Sequence, residues 1–116
     1  MTRLLVCGGR DFTDYHTLVE VLNGFHAAHT VTVLIEGGAL GADRFARRWA
    51  TDRGIPVETY EAEWARYGRS AGPRRNIRML TEGKPDQVIA FPGGNGTVNM
   101  VRLARNMSIP VMEVVE

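Results

Sequence analysis

Three times along this chain a short apolar run breaks directly into glycine and then into a helical pattern. Leu4-Leu5-Val6-Cys7 leads into Gly8-Gly9-Arg10-Asp11-Phe12. Val31-Thr32-Val33-Leu34-Ile35 leads into Glu36-Gly37-Gly38-Ala39-Leu40-Gly41-Ala42-Asp43, and Val88-Ile89-Ala90-Phe91 into Pro92-Gly93-Gly94-Asn95-Gly96-Thr97. Apolar runs without alternation mark strands buried on both faces, as in a parallel sheet. Extended runs over 56–60 and 111–115 bring the total to five strands alternating with helices. That order predicts an α/β fold: about five mainly parallel strands, helices on both faces and right-handed crossovers.

The helices follow from periodicity. Leu18, Val21, Leu22 and Phe25 recur at i, i+3, i+4 and i+7, so the first helix runs from a cap at Thr13 or Asp14 to about His29. The second places Ala42, Phe45, Ala46, Trp49 and Ala50 on one face and Arg44, Arg47, Arg48 and Asp52 on a solvated one. Gly54 is expected just past its end. The last helix carries Val98, Val101, Ala104 and Met107 on one face. Residues 63–76 mix aromatics, arginines and glycines without a period, which predicts a loop over a surface, followed by a short helix that holds Arg75, Arg78 and Met79 and ends near Gly83.

A chain of 116 residues suffices for one real core, so a single domain over 1–116 is expected. The net charge of +1 supplies little attraction for nucleic acid, which is an unlikely partner. No apolar run approaches the roughly 20 residues that span a membrane. The apolar stretch before Gly8 is too short for a signal peptide, and Cys7, the only cysteine, excludes an internal disulfide. A cytoplasmic location is expected, the host's if the chain is phage-encoded. Neither a cysteine cluster nor HExxH spacing accompanies the three histidines, so no metal site and no cofactor are expected.

In an open parallel sheet all three glycine turns face the same edge, where ligands bind at the point of strand-order reversal. A strand, a glycine turn and a helix together offer backbone N–H groups and a helix dipole to an anion. Gly93, Gly94 and Gly96 can take positive φ and, lacking Cβ, let a phosphate reach the main chain. Thr97 is expected to cap the helix and offer a hydroxyl. The turns match neither GxxxxGK[ST] nor strict GxGxxG. Arg10, Arg74 and Arg75 are candidate phosphate clamps. Asp11, Glu36 and Asp43 are candidate acceptors for ribose hydroxyls, and Asp43 equally reads as a first-turn acid of its helix. Phe12, Trp64 and Tyr67 are candidate base contacts, and the two residues in the 63–76 stretch read equally as a cover for the sheet edge.

Four motifs in order, Gly8-Gly9-Arg10-Asp11-Phe12, Gly37-Gly38-Ala39-x-Gly41-Ala42-Asp43 with Trp49-Ala50, Ala71-Gly72-Pro73-x-Arg75-Asn76, and Phe91-Pro92-Gly93-Gly94-x-Gly96-Thr97, resemble the SLOG superfamily, and within it the YspA-type branch of small proteins often carried by phages and mobile elements. The resemblance covers nearly the whole chain. It implies a Rossmann-like sheet whose glycine loops bind nucleotide-derived molecules, which in related domains include NAD- and ADP-ribose-derived ligands and cyclic ADP-ribose immune signals. It also implies a homo-oligomer. The ligand contacts carried over are Gly8, Gly9, Arg10, Asp11, Gly37, Gly38, Ala39, Gly41, Asp43, Arg75, Asn76, Pro92, Gly93, Gly94, Asn95, Gly96 and Thr97.

LOG-type phosphoribohydrolases of the same superfamily carry PGGxGTxxE. Here the loop is kept, but Met100 stands where the glutamate belongs. A thioether cannot act as an acid or base or stabilise an oxocarbenium ion, so no catalytic residue is assigned. The expected function is non-catalytic binding of an ADP-ribose-like ligand as a sensor or sequestering protein, with an anti-defence role if phage-encoded. The alternative is a LOG-like hydrolase of nucleoside 5′-monophosphates. A single-stranded nucleic-acid module, as in the DprA proteins of this superfamily, comes third.

Overall fold

The computed structural model describes residues 1–115. Strands β1 (Thr2–Cys7), β2 (Val31–Glu36), β3 (Val57–Thr59), β4 (Gln87–Ala90) and β5 (Val111–Glu113) form one parallel sheet in the order β3-β2-β1-β4-β5. Helices α1 (Tyr15–Ala28), α2 (Ala42–Asp52), α3 (Trp64–Tyr67), α4 (Ala71–Thr81) and α5 (Asn95–Asn106) connect them, with a 3-10 turn over Gly68–Ser70. The chain extends the sheet from β1 through β2 to β3, then returns to place β4 on the other side of β1. The reversal therefore lies between β1 and β4, and this is the expected Rossmann-like α/β arrangement.

The strands alternate between two cores, as residues buried on both faces must. Leu4, Val6, Leu34, Ile89 and Phe91 pack against Leu18, Leu22, Ala46 and Trp49 of α1 and α2. Leu5, Cys7, Ile35, Val88 and Ala90 face Met79, Leu80, Met100, Val101 and Ala104 of α4 and α5. Asp14 caps α1 by accepting from the Thr17 N–H at 3.1 Å and its hydroxyl at 2.6 Å, which holds the Asp14 carboxyl below its ordinary pKa. No helix among the described residues is long and apolar enough to cross a membrane.

Two expectations change. Residues 64–81 are helical almost throughout, so the stretch expected to be a loop is α3, the 3-10 turn and the start of α4. Pro73 fits there because it stands in the first turn of α4, where its missing N–H would have had no helical acceptor. Arg47 does not belong to a purely solvated face: its Nε lies 3.6 Å from the buried Glu36 carboxylate. His26 is occupied by the fold, since its Nδ1 accepts from the Val31 N–H at 3.0 Å and its ring meets Trp49 edge-on.

Candidate functional site

The glycine turns after β1, β2 and β4 pack against one another, main chain to main chain. Gly9 donates its N–H to Pro92 O at 2.8 Å, and Ala42 donates to Gly9 O at 3.2 Å, so the first turn touches both others. These contacts leave no room for side chains. A Cβ on Gly8 would lie 2.6 Å from Ala42 Cβ, and one on Gly9 2.9 Å from Pro92 O. On Gly93 it would lie 2.7 Å from Gly9 N, and on Gly41 it would meet Gly9 O and stand 2.6 Å from Arg10 O. Gly94 and Gly96 are the exception, with nothing within 4 Å of a built Cβ. None of Gly93, Gly94 and Gly96 adopts positive φ; that conformation belongs to Gly38, Gly41, Gly54 and Gly68. Within the third turn, close packing demands a glycine at Gly93 alone.

The N-terminus of α5 begins at Gly94, and no side chain caps it. Thr97 lies inside the first turn and is not the cap that the sequence suggested. Val98 is the first residue whose N–H finds the turn before it, donating to Gly94 O at 3.1 Å. The preceding N–H groups are left for an external acceptor, and the helix dipole favours an anion there. Asn76 of α4 holds this end in place. Its amide nitrogen donates to Gly96 O at 3.1 Å and Asn99 Oδ1 at 2.9 Å, and its Oδ1 accepts from Arg75 Nε at 3.0 Å. Arg75 in turn donates from Nη1 to Gly37 O at 2.7 Å, which ties α4 to the second turn.

Above these groups is a cleft of about 700 Å³, within the usual size range for small-molecule sites. Of the residues singled out in the sequence, Gly8, Gly9, Arg10, Asp11, Phe12, Ala39, Asp43, Trp64, Arg75, Asn76, Pro92, Gly93, Gly94, Asn95, Gly96 and Thr97 line it. Gly37, Gly38 and Gly41 stand behind the lining. Gly38 donates its N–H to Glu36 Oε1 at 2.6 Å, and the other two are packed against Arg75 and the first turn.

Glu36, expected to accept from a ribose, is fully buried and does not line the cleft. Its oxygens are taken up by the Gly38 N–H and the Thr59 hydroxyl. Tyr67 and Arg74 also lie outside, beside a smaller hollow of about 270 Å³, where the Tyr67 ring is covered by Arg66 at 4.9 Å and Arg74 at 4.2 Å. Met100 is fully buried against the sheet and does not reach the cleft.

Several lining residues were missed: Cys7, Arg69, Gly72, Pro73, Met79 and Asn99. Asn99 was findable, since it follows Asn95 by four residues on one helical face. Arg69 was not, because its position depends on a 3-10 turn without a periodic signal. Burial pushes the Cys7 thiol far up, which leaves it protonated and unreactive.

Asp43 is the buried carboxyl of the cleft. It accepts the Ala39 N–H at 3.2 Å, and burial raises its pKa from 3.8 to about 6. The folded state thus binds this proton more tightly than the unfolded chain. The resulting stability is present below pH ~4 and is lost as pH rises through about 6. Asp43→Asn is expected to remove a stability loss of roughly 2–3 kcal/mol between pH 4 and 7 in urea unfolding. An unaltered pH profile would mean that this carboxyl titrates normally. Burial lowers the pKa of the neighbouring Arg75, opposed by the Asp43 charge, but a guanidinium stays protonated.

Residues 2–67 match the YspA, cpYpsA-related SLOG family. The chain is 38% identical to the Gene 61 protein of Mycobacterium phage D29, over 97% of its own length and 95% of that protein's. Among solved structures it is similar to UDP-GlcNAc 2-epimerase from Neisseria meningitidis bound to UDP-GlcNAc, with a TM-score of 0.59 at 16% identity. That likeness covers 98% of this chain but only 32% of the epimerase and concerns the fold alone.

Proposed function

The chain belongs to the YspA, cpYpsA-related SLOG family, and from that premise we propose that its cleft binds a phosphate-bearing, nucleotide-derived ligand of the ADP-ribose type, cyclic ADP-ribose signals included. The ligand is held without turnover, as by a sensor or a sequestering protein. In a phage relative's setting such a protein would withdraw a host defence signal. One observation carries the reading: the uncapped start of α5 opens into the cleft beside two glycines whose missing side chains leave free space. A phosphate seated there meets backbone N–H donors and the positive end of the helix. Arg10, Arg69 and Arg75 line the same cleft and supply the charge.

Support for binding without hydrolysis comes from the carboxyl groups. Position 100 holds a thioether turned into the core, and Glu36 is enclosed. Asp43 is the group that a hydrolase reading would have to use, because it lines the cleft and burial raises its pKa to about 6. One of its oxygens, Oδ2, is already engaged by the Ala39 N–H of the second turn.

Gly96→Ala tests the reading through a trade-off. Gly96 is exposed, helical and open on its Cβ side, so alanine should stabilise the fold by about 0.4–1 kcal/mol through the unfolded state. The same methyl intrudes where the phosphate would sit, so calorimetric titration with ADP-ribose should show at least a tenfold weaker affinity. A more stable variant with undiminished affinity would count against a phosphate at this helix end.

A further inference from the structure

Two tryptophans occupy opposite environments. Trp49 is fully buried, and its indole N–H donates to Asn23 at 2.9 Å. Trp64 is 48% exposed, on a helix that buries none of its residues. The core does not account for its position. It lies at the rim of the cleft, against Gly72 of α4, where an added Cβ would stand 3.3 Å from its ring. The Arg10 guanidinium, from the turn after β1, covers the ring at 5.5 Å from its centroid.

Only two aromatic residues line the cleft among the described residues. Phe12 is committed to the protein, with its ring 5.3 Å from Phe91 and 6.4 Å from Phe45. Tyr67 lies outside, covered by two arginines. Trp64 alone offers a face covered only by the exposed Arg10 side chain.

We propose that Trp64 is the platform on which the ligand's base stacks, and that Arg10 is the cation which the base displaces and which then turns to the phosphate. An exposed cation–π contact is weak, and a base presents a whole π-face to the indole, so the exchange favours the base. Arg10 is suited to both positions because guanidinium stacks on aromatics and pairs with phosphate. The proposal rests on the cleft binding a nucleotide derivative and adds that the ligand must carry a base, which sets it apart from sugar phosphates.

The test titrates wild type, Trp64→Ala and Trp64→Phe with ADP-ribose and with ribose 5-phosphate by calorimetry, alongside indole emission. In the wild type, ADP-ribose should change the emission of Trp64, while the enclosed Trp49 stays constant. Trp64→Ala should lower the ratio of ADP-ribose to ribose 5-phosphate affinity about 10- to 100-fold, and Trp64→Phe should recover most of it. Equal losses for both probes, or no loss for ADP-ribose, would overturn the stacking role and leave the proposed function standing. Failure of the wild type to bind either probe would overturn both.

Discussion

Gly94→Val should fold and yet lose binding of the nucleotide-derived ligand, with affinity reduced more than 100-fold. The two halves of this expectation rest on different observations. Folding is spared because nothing lies within 4 Å of a Cβ at this position and its φ, −99°, is not in the left-handed region that favours glycine. The expected cost is that of a poorer helix cap, about 1 kcal/mol, or roughly 4 °C in Tm for a domain of this size. Binding is lost because the isopropyl group fills the space in front of the first N–H groups of α5, where an anion must approach closely to gain from them. Thermal unfolding and calorimetry on the same preparation read both halves. A folded variant with unchanged affinity would remove the third glycine turn from the site.

The opposite outcome is expected for Gly41→Ala. Gly41 and Gly54 share a positive φ, at 75° and 69°, which alanine rarely adopts, and at Gly41 a ψ of −127° takes the backbone beyond the left-handed helical region into one kept for glycine. They differ also in what surrounds them. Nothing lies near a Cβ at Gly54, whereas at Gly41 it would collide with Gly9 O and stand 2.6 Å from Arg10 O. Main-chain carbonyls that take part in a hydrogen-bonded turn cannot swing away as a side chain can. Gly41→Ala should therefore cost about 3–5 kcal/mol and Gly54→Ala about 1 kcal/mol in urea unfolding. Similar costs for the two would contradict the close packing of the first two glycine turns that builds the cleft floor.

What the sequence made legible was whatever depends on short-range pattern. Unbroken apolar runs such as Leu4 to Cys7 implied strands covered on both faces, and the two cores alternate along them as expected. Glycines directly after those strands placed three turns on one edge. The Asp14 cap was readable because a cap acts on the residues that follow it.

The misjudged residues depend on distant partners. Glu36 and Asp43 flank the same turn and look alike in sequence, but Thr59 and Arg47 enclose the first while the second lines the cleft. Trp64 and Tyr67 stand at the two ends of the four-residue α3, where one lines the cleft and the other lies between two arginines. The helix that holds Arg75, Arg78 and Met79 was legible, but its first turn was not, because Gly72 and Pro73 are poor helix formers. Met100 was read as a lost catalytic group at the site, but its side chain belongs to the core.

The proposed function requires the glycine-turn cleft to hold a nucleotide-derived molecule intact. The most direct test incubates the purified protein with AMP, NAD, ADP-ribose and cyclic ADP-ribose isomers, removes what is unbound, denatures the protein and identifies by mass spectrometry what is released. One of these ligands should be retained by the wild type and recovered chemically unchanged, and Gly94→Val should retain none. Recovery of free base with ribose phosphate would make the protein a hydrolase, and retention of none of these molecules by the wild type would overturn the proposed function.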